Sequence, residues 1–313
     1  MDIPDPIRQR LQALEEKYAQ MGQDMVSYLD GLLHADYLTY WDYIHLDTLL
    51  SLQNPRTSFP DEKIFILYHQ ITELYFKLML LALEQLADDS SGAPAFFLRQ
   101  VARLNRYLEQ LVHSFGIMVE GMDKEEFLKF RMSLLPSSGF QSAQFRQIEI
   151  LSTDLYRLVH PRQRHPDDED APPSELYPRL YWKSGATELA TGKKTLTLRH
   201  FDKKYRDTLL RLADRSREAN LWQAYLRLEG GTDELQACRA ALRSYDHLMN
   251  VDWRLSHLRA ASRYLERMPK VIAATGGTNW QQYLPPQQQG IIFFPDLWSE
   301  EELQHWGKPD NPA

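Results

Sequence analysis

Three side chains carry most of the chemistry this sequence could perform. His69 stands in Phe65-Ile-Leu-Tyr-His-Gln-Ile-Thr-Glu73, where Phe65, His69, Thr72 and Phe76 share one face at helical spacing. His257 stands in Trp253-Arg-Leu-Ser-His257, where Asn250, Trp253, His257 and Ala261 share a face. Taken singly, a helix-borne histidine is most often a core residue hydrogen-bonded to a neighbour. Two such histidines facing one cavity would suit a haem, one as axial ligand and one on the distal side. Arg131 comes just before a Pro136-Ser-Ser-Gly139 turn. There a cation at a helix C-terminus is favoured by the macrodipole. The same planar guanidinium is also suited to clamp a substrate carboxylate.

The elements that must position these residues are helices. From Asp61 to Leu86 there is no Gly or Pro, and Leu67, Ile71, Leu74, Leu78 and Leu81 step by 4, 3, 4 and 3. That spacing predicts one stripe of a buried helix, with Pro60 and Asp61 at its start. Asp88-Asp-Ser-Ser-Gly-Ala-Pro94 reads as a loop. Val101, Leu104, Leu108, Leu111 and Phe115 predict a second helix with the same rhythm. Further helices are expected over 124–134, 140–158, 203–228 and 233–268, the last closed by Pro269. His160 to Pro178 holds five prolines and the acidic run Asp167-Asp-Glu-Asp170, which predicts a solvated surface loop. Alternation at Thr195-Leu-Thr-Leu198 allows a short hairpin at most. The helices are spread along the chain without a linker, so the expected fold is a single all-α helical-bundle domain over 1–313.

Composition narrows the chemistry. Of 313 residues, 43% are hydrophobic and 25% charged, the proportions of an ordinary globular protein. The single cysteine, Cys238, rules out a disulfide framework, a Cys-rich zinc site and an iron–sulfur cluster. A net charge of −7 argues against a nucleic-acid partner. There is no GxGxxG, P-loop, HExxH or nucleophile elbow. No basic segment leads into an apolar leader, and the run Leu78 to Leu83 is far short of the ~20 residues that span a bilayer. The expectation is a cytoplasmic protein with no membrane partner.

Five blocks, in order, resemble the tryptophan 2,3-dioxygenase family of haem enzymes. Tyr40-Trp-Asp-Tyr-Ile-His-Leu-Asp-Thr-Leu-Leu-Ser-Leu-Gln53 resembles its YxxYLxLxxLLxxQ block, and Phe65 to Lys77 its FIxxHQxxELWxK block. Phe130-Arg131 with Ser137-Ser-Gly-Phe-Gln-Ser-Ala-Gln-Phe-Arg146 resembles FRxxLxxxSGFQSxQFR. Trp253 to His257 resembles WRxxH, and Ala274-Thr-Gly-Gly277 the start of GTGGSSG. The resemblance implies haem b with iron ligated by His257, and Ser138 near the haem. It implies His69 beside bound O2 and the substrate's indole N–H, with Phe65 packing on the indole and Phe127 lining the same pocket. Arg131 would pair with the amino-acid carboxylate, and Thr275 would contact the ammonium or carboxylate. Tyr40 and Tyr43 would reach a neighbouring subunit's site within a homotetramer, from an N-terminal helical arm over residues 1–50.

The implied reaction is 2,3-dioxygenation of L-tryptophan, or a tryptophan derivative, to an N-formylkynurenine. The chain departs from the family at Trp41, at Tyr75 in Glu73-Leu-Tyr75, and at Thr278-Asn-Trp280 in place of Ser-Ser-Gly. His257 to Thr275 is also a longer separation than the family's. Altered substrate cover keeps two alternatives open. One is a haem monooxygenase that forms oxindoles from substituted tryptophans or hydroxylates tyrosine. The other is a non-catalytic helical interaction protein.

Overall fold

The computed structural model describes residues 3–35, 39–134, 141–184, 186, 194–267, 270–271 and 285–308. They group into two compact units, Met1–Asn54 and Pro55–Ala313. The first unit holds α1 (Asp5–Gln20), α2 (Met25–Leu33), α3 (Tyr40–Tyr43) and α4 (Leu46–Leu50). Asp24 caps α2 by accepting from the backbone N–H groups of Val26 and Ser27. None of these four helices contains a buried residue, so local hydrogen bonding rather than a core shapes them.

The second unit is a helical bundle, and the fold is all-α. Spans without Gly or Pro became its long helices: α5 (Asp61–Asp88) and α6 (Pro94–Ser114). Shorter helices follow: α7 (Gly116–Glu120), α8 (Lys124–Phe130), α9 (Ala143–Ser152), α10 (Pro173–Leu176) and α11 (Tyr181–Ser184). Then come α12 (Leu196–Ser216), α13 (Leu221–Leu226), α14 (Thr232–His247) and α15 (Trp253–Leu265). The α5, α6, α9 and α14 helices pack on one another around the core. The strands among the described residues are β1 (Glu266–Arg267) and β2 (Lys270–Val271), an antiparallel pair of two residues each.

Three expectations are corrected. The hairpin allowed at Thr195–Leu198 is the first turn of α12. Thr195 caps it by accepting from the Leu198 N–H, and Leu198, Phe201, Leu209 and Leu212 bury at helical spacing. The acidic stretch after His160 is not uniformly solvated. It folds into short turns, where Asp168 is buried and pairs with Arg179 at 2.6 Å while Leu176 and Tyr177 enter the core. The third correction is the largest. On α5, the stripe Leu67, Ile71, Leu74, Leu78 and Leu81 is not buried: these residues are 39–54% exposed. The face that packs is its neighbour, Tyr68, Thr72, Phe76, Met79, Leu83 and Leu86. By contrast the α6 stripe Val101, Leu104, Leu108 and Leu111 is fully buried. By length and composition α5 could cross a bilayer, but its packed face belongs to the protein core.

The last long helix is not uniform. Between α14 and α15 lies a π-helical turn, Leu248–Asp252. Such a turn inserts one residue into the α-helical register. The α15 helix beyond it is rotated by about 100° around the axis relative to an uninterrupted α-helical register.

Candidate active site

Two helices of the bundle deliver the two histidines. His69 lies two turns into α5, and its Nδ1 sits 2.7 Å from the Phe65 carbonyl oxygen. A carbonyl can only accept, so Nδ1 carries the proton and Nε2 is left with a lone pair. The Phe65 ring packs against the imidazole at 4.1 Å. His69 keeps solvent-exposed surface, yet surrounding protein desolvates it enough to pull its pKa down. The Phe65 carbonyl and Glu73 oppose that shift.

His257 lies in the second turn of α15 and follows the same local rule. Its Nδ1 is 3.3 Å from the Trp253 carbonyl, which again leaves Nε2 as the open nitrogen. Rings of Phe115 and Trp253 pack on it at 4.6 and 4.7 Å, both edge-on. Burial pushes its pKa down to about 4, and the charges of His69 and Arg254 push the same way. The imidazole is therefore neutral at neutral pH, the state in which it ligates a metal.

An aromatic wall joins the two. Tyr68, beside His69 in sequence, meets Phe115 at 5.6 Å, and Phe115 meets His257. On the other side Phe65 lies 6.2 Å from Phe127 and 5.8 Å from Phe130, and Phe127 stacks near Tyr264 at 4.5 Å. Arg131 directly follows this cluster at the C-terminal end of α8, where it is buried. Desolvation lowers its pKa, but a guanidinium stays protonated there. The structure thus brings Phe65, His69, Phe127 and His257 into one connected set of ring contacts, with Arg131 next in sequence to Phe130 of that set.

Sequence reasoning missed Tyr68, Phe115, Phe130 and Tyr264 as parts of this wall. Their signals were present. Phe130 is one turn after Phe127, Tyr264 is two turns after His257, and Phe115 ends the α6 stripe. Tyr40 and Tyr43 lie on α3 of the first unit and are largely exposed. Ser138 and Thr275 fall outside the described residues.

Comparisons with known proteins supply a family. A family model described as tryptophan 2,3-dioxygenase matches residues 31–169. A tryptophan 2,3-dioxygenase of Burkholderia pseudomallei is 31% identical over 277 residues, covering 83% of this chain and 83% of its own length. The chain belongs to the tryptophan 2,3-dioxygenase family. Relatives of that name from Polaromonas naphthalenivorans and a Ruegeria species are each 29% identical, covering 83% and 85% of this chain and 90% and 92% of their own. The chain is an oxygenase enzyme of this family.

The family is haem-dependent, and the residues present fit that group. His257 offers a neutral imidazole with Nδ1 tied to a backbone carbonyl and Nε2 open, the donor chemistry of an axial iron ligand. Among the described residues no cluster of three or more His, Cys, Asp or Glu could hold a bare ion. One imidazole suffices for an iron whose equatorial ligands come from a macrocycle.

Proposed function

We propose that this chain is a haem b oxygenase that acts with O2 on the indole ring of L-tryptophan or a close derivative, giving an N-formylkynurenine. The observation that carries the reading is the connection of His69 and His257 through one aromatic wall, each with its Nε2 open. Haem b would be held by His257, with Ser138 beside it, and supplies the oxygen chemistry when bound. Arg131 pairs with the substrate carboxylate, while Phe65 and Phe127 hold the indole. The protonation of His69 at Nδ1 gives its role a direction: Nε2 accepts a hydrogen bond from the indole N–H. The aromatic wall keeps water from the reacting ring, so these polar contacts act in a low dielectric.

Thr275 at the substrate ammonium or carboxylate, and Tyr40 and Tyr43 at a neighbouring subunit's site, are carried from the family resemblance. A homotetramer is further supported by the uncovered leucine stripe of α5, since contiguous exposed apolar surface marks an interface. The net charge of −7 and the core face of α5 support a cytoplasmic enzyme with neither nucleic-acid nor membrane partner.

His257→Ala should abolish haem retention, read as loss of the Soret band in purified protein. Retained haem with an unchanged spectrum would remove His257 as ligand. The reaction itself is tested by product mass after incubating reduced, haem-loaded protein with O2 and L-tryptophan or a β-methylated analogue. Gain of both oxygen atoms is expected. Gain of one would favour the monooxygenase reading, for which Thr278-Asn-Trp280 in the substrate-covering segment is the specific sequence observation.

A further inference from the structure

Outside the ring cluster, one heavily connected polar group is a fully buried carboxylate. Asp246, near the end of α14, has no exposed surface. It accepts four hydrogen bonds: from the backbone N–H groups of Phe293 and Phe294 at 3.0 Å each, from Trp298 Nε1 at 3.1 Å, and from Asn250 Nδ2 at 2.7 Å. Burial pushes the Asp246 carboxyl's pKa up and the four donors oppose that shift, while their directions fix where its two oxygens lie.

The connection continues along the helix. Asn250, inside the π-helical turn, accepts from Arg254 Nη2 at 2.7 Å through its Oδ1. Arg254 is buried beneath Tyr181 and lies 3.7 Å from Glu149 of α9, too far for a direct hydrogen bond. Its Nε and Nη1 have no hydrogen-bond partner among the described residues. At hydrogen-bonding distance, then, Asn250 is what holds the guanidinium. Glu149 is itself fixed by Arg146 at 2.8 Å and by the Tyr181 hydroxyl. Asp246, Asn250 and Arg254 form a ladder at four-residue steps that crosses the π-helical turn. Its upper end is tied to the C-terminal segment and its lower end leans on α9. Three residues beyond the lower rung stands His257.

This geometry matters because a π-helical turn has an alternative. Closing back to α-helical register would turn His257 by about 100° relative to α14. We propose that Asn250 and Asp246 are positioning residues for the proximal ligand: their ladder holds the π-helical turn open and so fixes the rotation at which His257 presents Nε2. The inference rests on the reading of His257 as the haem ligand. Residues that orient a ligand without touching the metal typically govern its retention by 10–100-fold.

Asn250→Ala is the deciding variant, because Asp246 keeps its three other donors and the C-terminal segment stays tied. Asp246→Asn, which turns an acceptor into a donor before three fixed N–H groups, is the harsher companion. The haem-loaded wild type is measured first. A ferrous iron–histidine stretching band that His257→Ala abolishes confirms the ligand, and its absence refutes that reading separately. The positioning proposal then predicts, for folded Asn250→Ala, a shifted or split iron–histidine band and haem transfer to apomyoglobin faster by roughly tenfold or more. Asn250→Asp restores acceptance from Arg254 and should recover part of the wild-type band. A lowered melting temperature with band and transfer rate unchanged would overturn the proposal and leave the ladder a purely structural device.

Discussion

Two helices of this protein carry the same written signal and have opposite fates. In α6, Val101, Leu104, Leu108 and Leu111 repeat at 3/4 spacing and have no exposed surface. In α5, Leu67, Ile71, Leu74, Leu78 and Leu81 repeat at the same spacing and stay 39–54% exposed. Periodicity states that a face is apolar and therefore that covering it lowers free energy. It does not state what covers it. For α6 the cover is α5 and α14 of the same chain. For α5 the neighbouring face, with Tyr68, Phe76 and Met79, takes the place in the core, and the leucine stripe is left for something other than this chain's own core. Beside Thr72 and Phe76 on its packed side α5 presents His69, so one helix serves core, site and uncovered surface at once.

The comparison can be broken most forcefully in α6. Leu108→Ala leaves a cavity in close-packed core and should cost about 2–5 kcal/mol, read as a lower urea midpoint with an unchanged slope. A cost below about 1 kcal/mol would mean that the α6 stripe is less essential than its burial implies. The α5 stripe should respond in assembly instead. Leu74→Asp with Leu78→Asp places two charges on a face that no part of the core covers, so helicity should persist. Mass by light scattering should fall roughly fourfold if the homotetramer closes over this face. Full-size oligomer in the double variant would assign the stripe elsewhere.

A gentler probe uses protons at the histidines of α5 and α15. His257 and His69 are held neutral in the folded chain, His257 with a pKa near 4 against 6.5 unperturbed. Between these values the unfolded chain binds more protons than the folded one. The contribution is therefore fully present above pH 6.5 and is lost as pH falls toward 4. In haem-free protein, His257→Gln should flatten that loss by on the order of 1–2 kcal/mol relative to wild type. An identical pH slope in the two proteins would place His257 in a wetter setting than its ring neighbours indicate.

Much of the candidate site was legible in the sequence. His69, Arg131 and His257 stand out because their residue types can ligate, accept or clamp, and Phe65 shares a helix face with His69; Phe127 entered only through the family resemblance. What was not legible is which nitrogen each histidine turns outward. That depended on carbonyls of Phe65 and Trp253, four residues upstream, which exist as acceptors only once the helices form. Nor could spacing reveal Asp246 as an anchor, since its partners Phe293, Phe294 and Trp298 lie about fifty residues away.

By itself, then, the amino-acid sequence determined the helices, their apolar faces, the lack of a second cysteine for a disulfide or a cysteine-rich metal site, and the kinds of side chain available for chemistry. These follow from local backbone preference and from a period that each segment carries alone. The tertiary structure decided which apolar face of α5 enters the core, how the π-helical turn rotates the last long helix, and which rings join His69 to His257. Those outcomes depend on contacts between segments far apart in the chain, where packing chooses among faces that the local pattern leaves equivalent.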